Sequence, residues 1–398
     1  MTNLKSNNVV LGVSGGIACY KAVELVRLLV KEQYTVQVIM THGAMEFVTP
    51  LTFQTLSARP VATDTFNLTQ ESEIGHINLA DSADIFVVAP ATANIIGKIA
   101  AGIADDLLTT VLMATQAPVL IAPAMNIHMY ENPILQENLR KLRRIGYEIL
   151  EPGEGYLACG YEGKGRLPDP EAILEQIRRQ LKNKDLTGEK LVVTAGPSRE
   201  PLDPVRYISN RSSGKMGYAL ARAAARRGAE VVLISGPTAL SAPPGVKLTA
   251  INTAAEMRQA ILDEYVTCTG VIMAAAVADY HPAQFSADKM KRGTGPLEVR
   301  LEPNPDILKE LGQRKDGKIL IGFAAETGNL QGNAEKKLRE KNLDMIVAND
   351  VTKQGSGFDG DTNIATIIDR GGATRSLPLM SKDELADEIF DHLLTLKR

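Results

Sequence analysis

The chain begins a nucleotide-type α/β fold twice, and the two beginnings differ chemically. Val9-Val10-Leu11-Gly12-Val13-Ser14-Gly15-Gly16-Ile17-Ala18 runs from a short apolar strand into a glycine turn, and a helical pattern follows over 20–29. Leu191-Val192-Val193-Thr194-Ala195-Gly196 repeats the strand-to-glycine step, but reaches its helix only after a long polar insert, Pro197 to Gly214. Such turns leave backbone N–H groups at a helix N-terminus, where the dipole favours phosphate. Two of them with unlike loops predict two active sites in one polypeptide.

At 398 residues the chain exceeds what one hydrophobic core supports, so two domains are expected, 1–185 and 186–398, parted in the polar stretch 181–190. In the first half, apolar runs at 9–13, 35–40, 85–89 and 118–122 alternate with helical patterns. In the second, strands at 191–195, 230–234, 270–275, 318–323 and 345–348 alternate with helices near 214–227, 253–264, from Pro305 and at 333–341. A long loop at 277–295 and a strand near 297–301 intervene, and the strand at 345–348 is expected to complete the sheet. The fold class is α/β: two domains, each a doubly wound, mostly parallel sheet flanked by helices, flavodoxin- or Rossmann-like. Ligands then bind beyond the carboxyl ends of the strands, where Ser14-Gly15, Thr41-His42, Pro90 to Asn94 and Pro123 to Tyr130 lie.

A net charge of −3 gives no reason to expect nucleic acid, and no apolar run approaches the ~20 residues that cross a bilayer. Met1 to Lys5 lacks the apolar core of a secretory signal. Cys19, Cys159 and Cys268 are too scattered for a disulfide framework or zinc knuckle, so a cytoplasmic protein with reduced thiols is expected.

A dinucleotide fingerprint needs Gly-x-Gly-x-x-Gly and an acidic residue ending the second strand. The second strands here end in Met40-Thr41-His42 and Ser235-Gly236, which disfavours an NAD-dependent oxidoreductase. Ser209 to Met216 lacks the first glycine and the hydroxyl residue after lysine that a P-loop requires. Taken singly, Asn126 reads as a turn or cap residue and His76 as structural, whereas Cys159 sits in a glycine-rich loop, 153–165, that favours an accessible thiol.

Together these segments resemble the flavin-dependent cysteine decarboxylases over about residues 6–180. The resemblance rests on Val13 to Ala18 with Tyr20-Lys21, Ala89-Pro90-Ala91-Thr92-Ala93-Asn94, Pro123-Ala124-Met125-Asn126-Ile127-His128-Met129, and Ala158-Cys159-Gly160. It implies FMN held by Ser14, Gly15, Thr41, Thr92, Asn94 and Met125. It further implies His76 as the essential base, Asn126 on the substrate carboxylate and Cys159 as a proton donor. The implied chemistry is oxidation of the substrate thiol to a thioaldehyde, loss of carbon dioxide into an ene-thiolate, and return of the electrons. Tyr130 stands where many members have Trp, and Tyr161 where some have Asp. Non-enzymatic FMN-binding regulatory subunits are related to this domain, but the joint presence of His76, Asn126 and Cys159 argues for an enzyme.

The insert after Gly196 is unusually long for a βα loop, and long loops in compact domains tend to be functional. Asp279 follows a strand that ends in small residues, Ala274-Ala275-Ala276-Val277-Ala278. Lys289-Met290-Lys291-Arg292 forms a cationic segment, and Lys337 and Lys341 share a helix face. With Pro305-Asp306-Ile307-Leu308, Gly322 to Thr327 and Ile346 to Asp350, these resemble the phosphopantothenate–cysteine ligases over nearly all of 187–398. The resemblance implies CTP bound by Ala274, Ala275, Asp279, Lys289, Pro305, Asp306, Ile307, Leu308, Phe323, Lys337 and Lys341. It further implies Asn210 and Lys289 as catalytic residues, with Asn210 stabilising an acyl-cytidylate. Mg²⁺ accompanies CTP, with Asp279 as the candidate metal residue. Ser198 replaces a common Thr but keeps the hydroxyl.

The two resemblances join in the bacterial bifunctional family of coenzyme A biosynthesis. In it a ligase makes 4′-phosphopantothenoyl-cysteine from 4′-phosphopantothenate, cysteine and CTP, and a decarboxylase yields 4′-phosphopantetheine. The family implies a homo-oligomer, a dodecamer of trimeric decarboxylase and dimeric ligase units, with active sites at subunit interfaces. Neither nucleic acid nor membrane is an expected partner.

Overall fold

A computed structural model describes residues 7–65, 75–156, 162–291, 297–326, 330–350, 357 and 359–397. The chain divides into two compact units, Met1–Lys182 and Asn183–Arg398. No helix among the described residues is long and apolar enough to cross a membrane.

The first unit opens with β1 (Asn8–Val13), α1 (Cys19–Lys31), β2 (Thr35–Met40), α2 (His42–Met45), α3 (Pro50–Ser57) and α4 (Gly75–Asp81). It continues with β3 (Ile85–Ala91), α5 (Ala93–Ala101), α6 (Leu107–Ala114), β4 (Val119–Pro123), α7 (Ile127–Tyr130) and α8 (Pro133–Arg144). A short β5 (Glu148–Ile149), a hairpin of β6 (Gly153–Tyr156) and β7 (Glu162–Arg166), and α9 (Pro170–Leu181) close it. Five parallel strands lie in the order β2-β1-β3-β4-β5. The apolar runs suit a strand buried on two faces: Val9, Leu11 and Val13 pack into one core layer and Val10 into the other. Helix α1 covers the first layer because Ala22, Leu25, Val26 and Leu29 recur at helical spacing and are all buried. Burying each of the larger side chains, Leu25, Val26 and Leu29, stabilises the fold by about 1.5–3 kcal/mol. This order reverses direction between β1 and β3, the switch point where such sheets open a crevice.

The second unit begins with β8 (Lys190–Ala195), a ribbon of β9 (Arg199–Pro201) and β10 (Tyr207–Ser209), then α10 (Lys215–Arg226) and β11 (Glu230–Ser235). There follow β12 (Val246–Ala250), α11 (Ala254–Tyr265), β13 (Gly270–Met273), β14 (Tyr280–Pro282), β15 (Leu301–Pro303) and α12 (Ile307–Gln313). The remainder is β16 (Ile319–Glu326), α13 (Leu330–Glu340), β17 (Met345–Asp350), β18 (Thr362–Asn363), β19 (Ala365–Asp369), β20 (Thr374–Ser376), β21 (Met380–Ser381) and α14 (Lys382–Leu396). The main sheet runs β12-β11-β8-β13-β16-β17-β19-β20. Its six parallel strands follow the Rossmann order, so β8 and β13 flank the switch point. Helices α10 and α14 pack on one face, with Tyr218, Leu220, Leu385 and Phe390 in that core layer. Helices α11, α12 and α13 supply Met257, Ile261, Ile307, Leu311 and Leu338 to the other.

Two expectations need correction, and one strand goes beyond them. The sheet does not end at 348: β19 and β20 extend it antiparallel, and α14 then covers one face. The strand expected near 297–301 lies at 301–303 and pairs with β14 in a separate ribbon, not in the main sheet. The parallel edge strand β12, half exposed, was not expected at all.

Candidate active sites

Among the helices whose N-terminal caps are described, α1 and α10 alone have neither a side-chain cap nor a proline in the first turn. They are the helices that follow the two glycine turns. An uncapped first turn leaves its dipole and N–H groups to solvent or a ligand.

At the carboxyl end of the first sheet lies a cavity of about 970 Å³. Ser14, Gly15, Thr41, Thr92, Asn94, Met125 and Asn126 all line it. Ser14 is the keystone of the switch point. Its buried hydroxyl donates to the Pro90 carbonyl at 2.8 Å and accepts the Thr92 N–H at 3.0 Å, joining the loops after β1 and β3. Thr92 caps α5 and Thr41 caps α2, each through its side-chain oxygen. Gly15 lies so close to Gly43 that an added Cβ would stand 2.6 Å from its carbonyl carbon. Asn126 caps α7, accepting the His128 N–H at 2.8 Å. Its loop is docked on the β6–β7 hairpin, since the Met125 N–H donates to the Gly165 carbonyl at 2.9 Å. A Cβ at Gly165 would lie 2.3 Å from the Met125 oxygen, so only glycine permits this approach.

His76 sits near the start of α4, half-buried, and is not among the residues lining this cavity. Cys159 and Tyr161 lie outside the described residues. Tyr130 is buried, and its hydroxyl donates to Glu151 at 3.0 Å. Burial first, then the hydrogen bond to Glu151 and its charge, raise its pKa. Three cationic residues also line the cavity: Lys21, which belongs to the Tyr20-Lys21 pair of the resemblance, and Lys98 and Arg166, which no motif marks. Lys98 is held above its ordinary value by hydrogen bonds and charge from Asp105 and Asp106.

The second unit holds a cavity of about 410 Å³, lined by Asn210, Ala274, Ala275 and Phe323 together with the first turn of α10. The loops after β8 and β13 are laced at its mouth: the Ala276 N–H donates to Gly196 at 2.9 Å and the Ser198 N–H to Ala276 at 3.3 Å. The Ser198 hydroxyl, fully buried, accepts the Ala278 N–H at 2.9 Å, which explains why a hydroxyl is kept there. Asn210 donates from its amide to the Val277 carbonyl at 2.9 Å, fixing the side chain at the cavity wall.

The other ligase candidates do not line this cavity. Asp279 is exposed, and its carbonyl accepts the Asn304 N–H at 2.8 Å, docking the chain that leads into Pro305 and Asp306. Asp306 caps α12 and pairs with Lys341 at 2.9 Å. Lys337 lies in the last turn of α13, which ends at Glu340, one residue short of the expected helix, so Lys341 stands in the turn that follows it. Ile307 is 4% exposed and belongs to the core, while Leu308 packs toward Gly322. Lys289 is exposed on the loop after β14. No cluster of three or more acidic, His or Cys side chains suited to a metal occurs among the described residues.

Lys215, the lysine of the stretch rejected above as a P-loop, and Lys382, which no motif marks, line the smaller cavity from the first turns of α10 and α14. Lys382 is 7% exposed and donates to the Gly360 carbonyl at 2.6 Å, and Lys215 pairs with Asp361 at 2.7 Å. Burial, and then the Lys215 charge, pull the Lys382 ammonium below the usual lysine range. Its Ser381-x-x-Glu384 capping box marks a helix start, but no local signal directs its lysine to a site 170 residues upstream in the chain.

Residues 1–182 match the family model described as "Flavoprotein", and residues 186–396 the one described as "DNA/pantothenate metabolism flavoprotein C-terminal domain". A Bacillus subtilis (strain 168) protein named Coenzyme A biosynthesis bifunctional protein CoaBC is 51% identical, over 99% of this chain and 98% of its own. The Escherichia coli (strain K12) protein of that name is 44% identical, again over 99% of this chain and 98% of its own. Among solved structures, the C-terminal domain of a protein so named is 44% identical, covering 54% of this chain and 99% of that one with a TM-score of 0.47. Matched by its relatives from end to end, the chain belongs to the family of bifunctional coenzyme A biosynthesis proteins.

Proposed function

We propose that residues 186–398 join cysteine to 4′-phosphopantothenate at the expense of CTP, and that residues 1–185 decarboxylate the product with FMN. The observation that carries this reading is coverage: relatives named for two coenzyme A activities match 99% of the chain, and one family model falls on each half.

The larger cavity fits FMN in its chemistry. Apolar walls, the uncapped first turn of α1 and the close Gly15–Gly43 approach suit a planar ring system with a phosphate tail. Ser14, Gly15, Thr41, Thr92, Asn94 and Met125 would hold it. When bound, the flavin supplies the reversible two-electron oxidation that makes carboxylate loss feasible. Asn126 holds the substrate carboxylate without a full positive charge, His76 acts as base, and Cys159 delivers the proton to the product. Docking of the Asn126 loop on the hairpin, through the Met125 N–H and the Gly165 carbonyl, holds that amide in place.

In the ligase half, the substrate carboxylate attacks the α-phosphorus of CTP and pyrophosphate leaves. The cysteine amine then attacks the acyl carbon and CMP leaves. Asn210, pinned by Val277, orients the acyl group, while Lys289, Lys337 and Lys341 offset triphosphate charge. Asp279 would be the acidic residue that holds a Mg²⁺ brought in with the nucleotide, and the ion would offset triphosphate charge. A cytoplasmic homo-oligomer built from decarboxylase trimers and ligase dimers belongs to the same reading.

Purified protein is expected to be yellow, to release carbon dioxide from 4′-phosphopantothenoyl-cysteine, and to form pyrophosphate from CTP only with 4′-phosphopantothenate. A colourless protein inert in both assays overturns the proposal.

A further inference from the structure

Three cationic side chains line the larger cavity, and two of them are already neutralised. Lys21 pairs with Asp169 at 3.0 Å, and Lys98 pairs with Asp105 at 2.7 Å and Asp106 at 3.2 Å. Arg166, the last residue of β7, has no ion-pair or hydrogen-bond partner for its guanidinium among the described residues. Among the described residues it is therefore the cationic side chain of this cavity without a countercharge. Its position is fixed from behind, because Gly165 beside it accepts the Met125 N–H at 2.9 Å. The guanidinium runs along the facing strand, with one nitrogen 3.8 Å from where a Cβ at Gly155 would lie.

Topology separates Arg166 from the proposed flavin phosphate site. Ser14 and Thr92 follow β1 and β3, whereas Arg166 is tethered to the loop after β4 on the far side of β3. The substrate of the proposed decarboxylase carries two anions, the carboxylate that departs and the phosphate that stays. A guanidinium on the departing carboxylate would stabilise the ground state, whose charge must leave that group as neutral carbon dioxide forms, and would slow the reaction. A neutral amide such as Asn126 suits the carboxylate, and the cation suits the phosphate, which arginine grips through two parallel N–H groups.

We propose that Arg166 binds the phosphate of the decarboxylase substrate and so selects phosphorylated over unphosphorylated acyl-cysteine amides. This assignment rests on the decarboxylase reading above. The test is steady-state decarboxylation by the full-length flavin-loaded protein, with 4′-phosphopantothenoyl-cysteine and with pantothenoyl-cysteine. Arg166→Met is expected to raise KM for the phosphorylated substrate about 10- to 100-fold, the usual range for a lost charge-assisted bond, with kcat changing little. Turnover of the unphosphorylated substrate and flavin content should stay within about twofold, and Arg166→Lys should recover part of the loss. Equal losses on the two substrates, or loss of bound flavin, overturn the assignment and give the arginine to the fold or to the cofactor phosphate. A flavin-loaded wild-type protein inert toward both substrates takes down the decarboxylase reading itself, and this assignment with it.

Discussion

The carboxylate of Asp203 accepts the backbone N–H of Met290 at 3.1 Å, while its other oxygen accepts those of Val205 and Arg206, each at 2.8 Å. Arg206 in turn donates to the Met290 carbonyl. One buried carboxylate thus ties the β9–β10 turn to the segment that carries Lys289. The long polar insert after Gly196 serves as the anchor for a cationic loop elsewhere in the sequence. Burial alone would raise the Asp203 pKa, but the three N–H groups and Arg206 outweigh it and hold the carboxyl below the usual range.

Asp203→Asn is expected to loosen that anchor, because an amide has one acceptor oxygen where three donors converge. KM for CTP should rise about tenfold, with decarboxylation unchanged. In the wild-type chain, stability owed to Asp203 is full above its unfolded value near pH 4 and is lost as pH falls through the lower folded value. Acid unfolding followed for wild type and variant should show the variant less sensitive there. An unaltered KM for CTP would detach Asp203 from the nucleotide.

Ser14→Ala removes a hydroxyl that serves the Pro90 carbonyl and the Thr92 N–H at once. Leaving a buried group unsatisfied costs about 1–3 kcal/mol, and here it falls on the crevice itself. The purified variant should carry several-fold less flavin per chain and decarboxylate in proportion, while pyrophosphate release from CTP continues at the wild-type rate. Full flavin content in the variant would remove Ser14 from the cofactor site.

Much of this architecture was legible before the structure. β1, β3 and β8 are continuous apolar runs because each is buried on two faces, and the residues that follow them fall at the crevices by topology alone. Thr92 and Asn126 are readable for the same reason, standing directly after a strand. β20 and β12 escaped because their residues are largely exposed, so hydrophobicity carries no signal there. Arg166 and Lys382 escaped for a different reason. Each reaches its cavity through tertiary packing, Arg166 by the Met125–Gly165 contact and Lys382 by the fold-back of α14, and neither sits in a motif whose local spacing implies a ligand.

Lys382→Met separates stability from function. In the wild-type chain, burial and the nearby Lys215 charge hold the Lys382 pKa below the usual lysine range. The unfolded chain therefore binds more protons just below the ordinary lysine pKa, and stability rises with pH through that interval. The variant loses this rise and should be more stable at neutral pH by about 1 kcal/mol in denaturant unfolding. Its ligation should fall at least tenfold, because a cation lining the cavity of Asn210 and Phe323 is gone. A variant that ligates normally would show Lys382 to be structural.

His76 is absent from the lining of its own chain's cavity, although the family resemblance makes it the essential base. The proposed oligomer reconciles the two if one copy lends His76 to the cavity of another. His76→Asn and Asn126→Asp chains should each fail to decarboxylate when prepared alone, and each should still ligate. Unfolded together and reassembled, they form some sites with an intact Asn126 from one copy and an intact His76 from the other. Decarboxylation should then return in the mixture, rising with the fraction of mixed oligomers measured by native mass spectrometry. Mixed oligomers that stay inactive would mean that His76 serves its own chain's cavity, reaching it by a rearrangement of α4. Loss of ligation in either single variant would contradict two separate active sites.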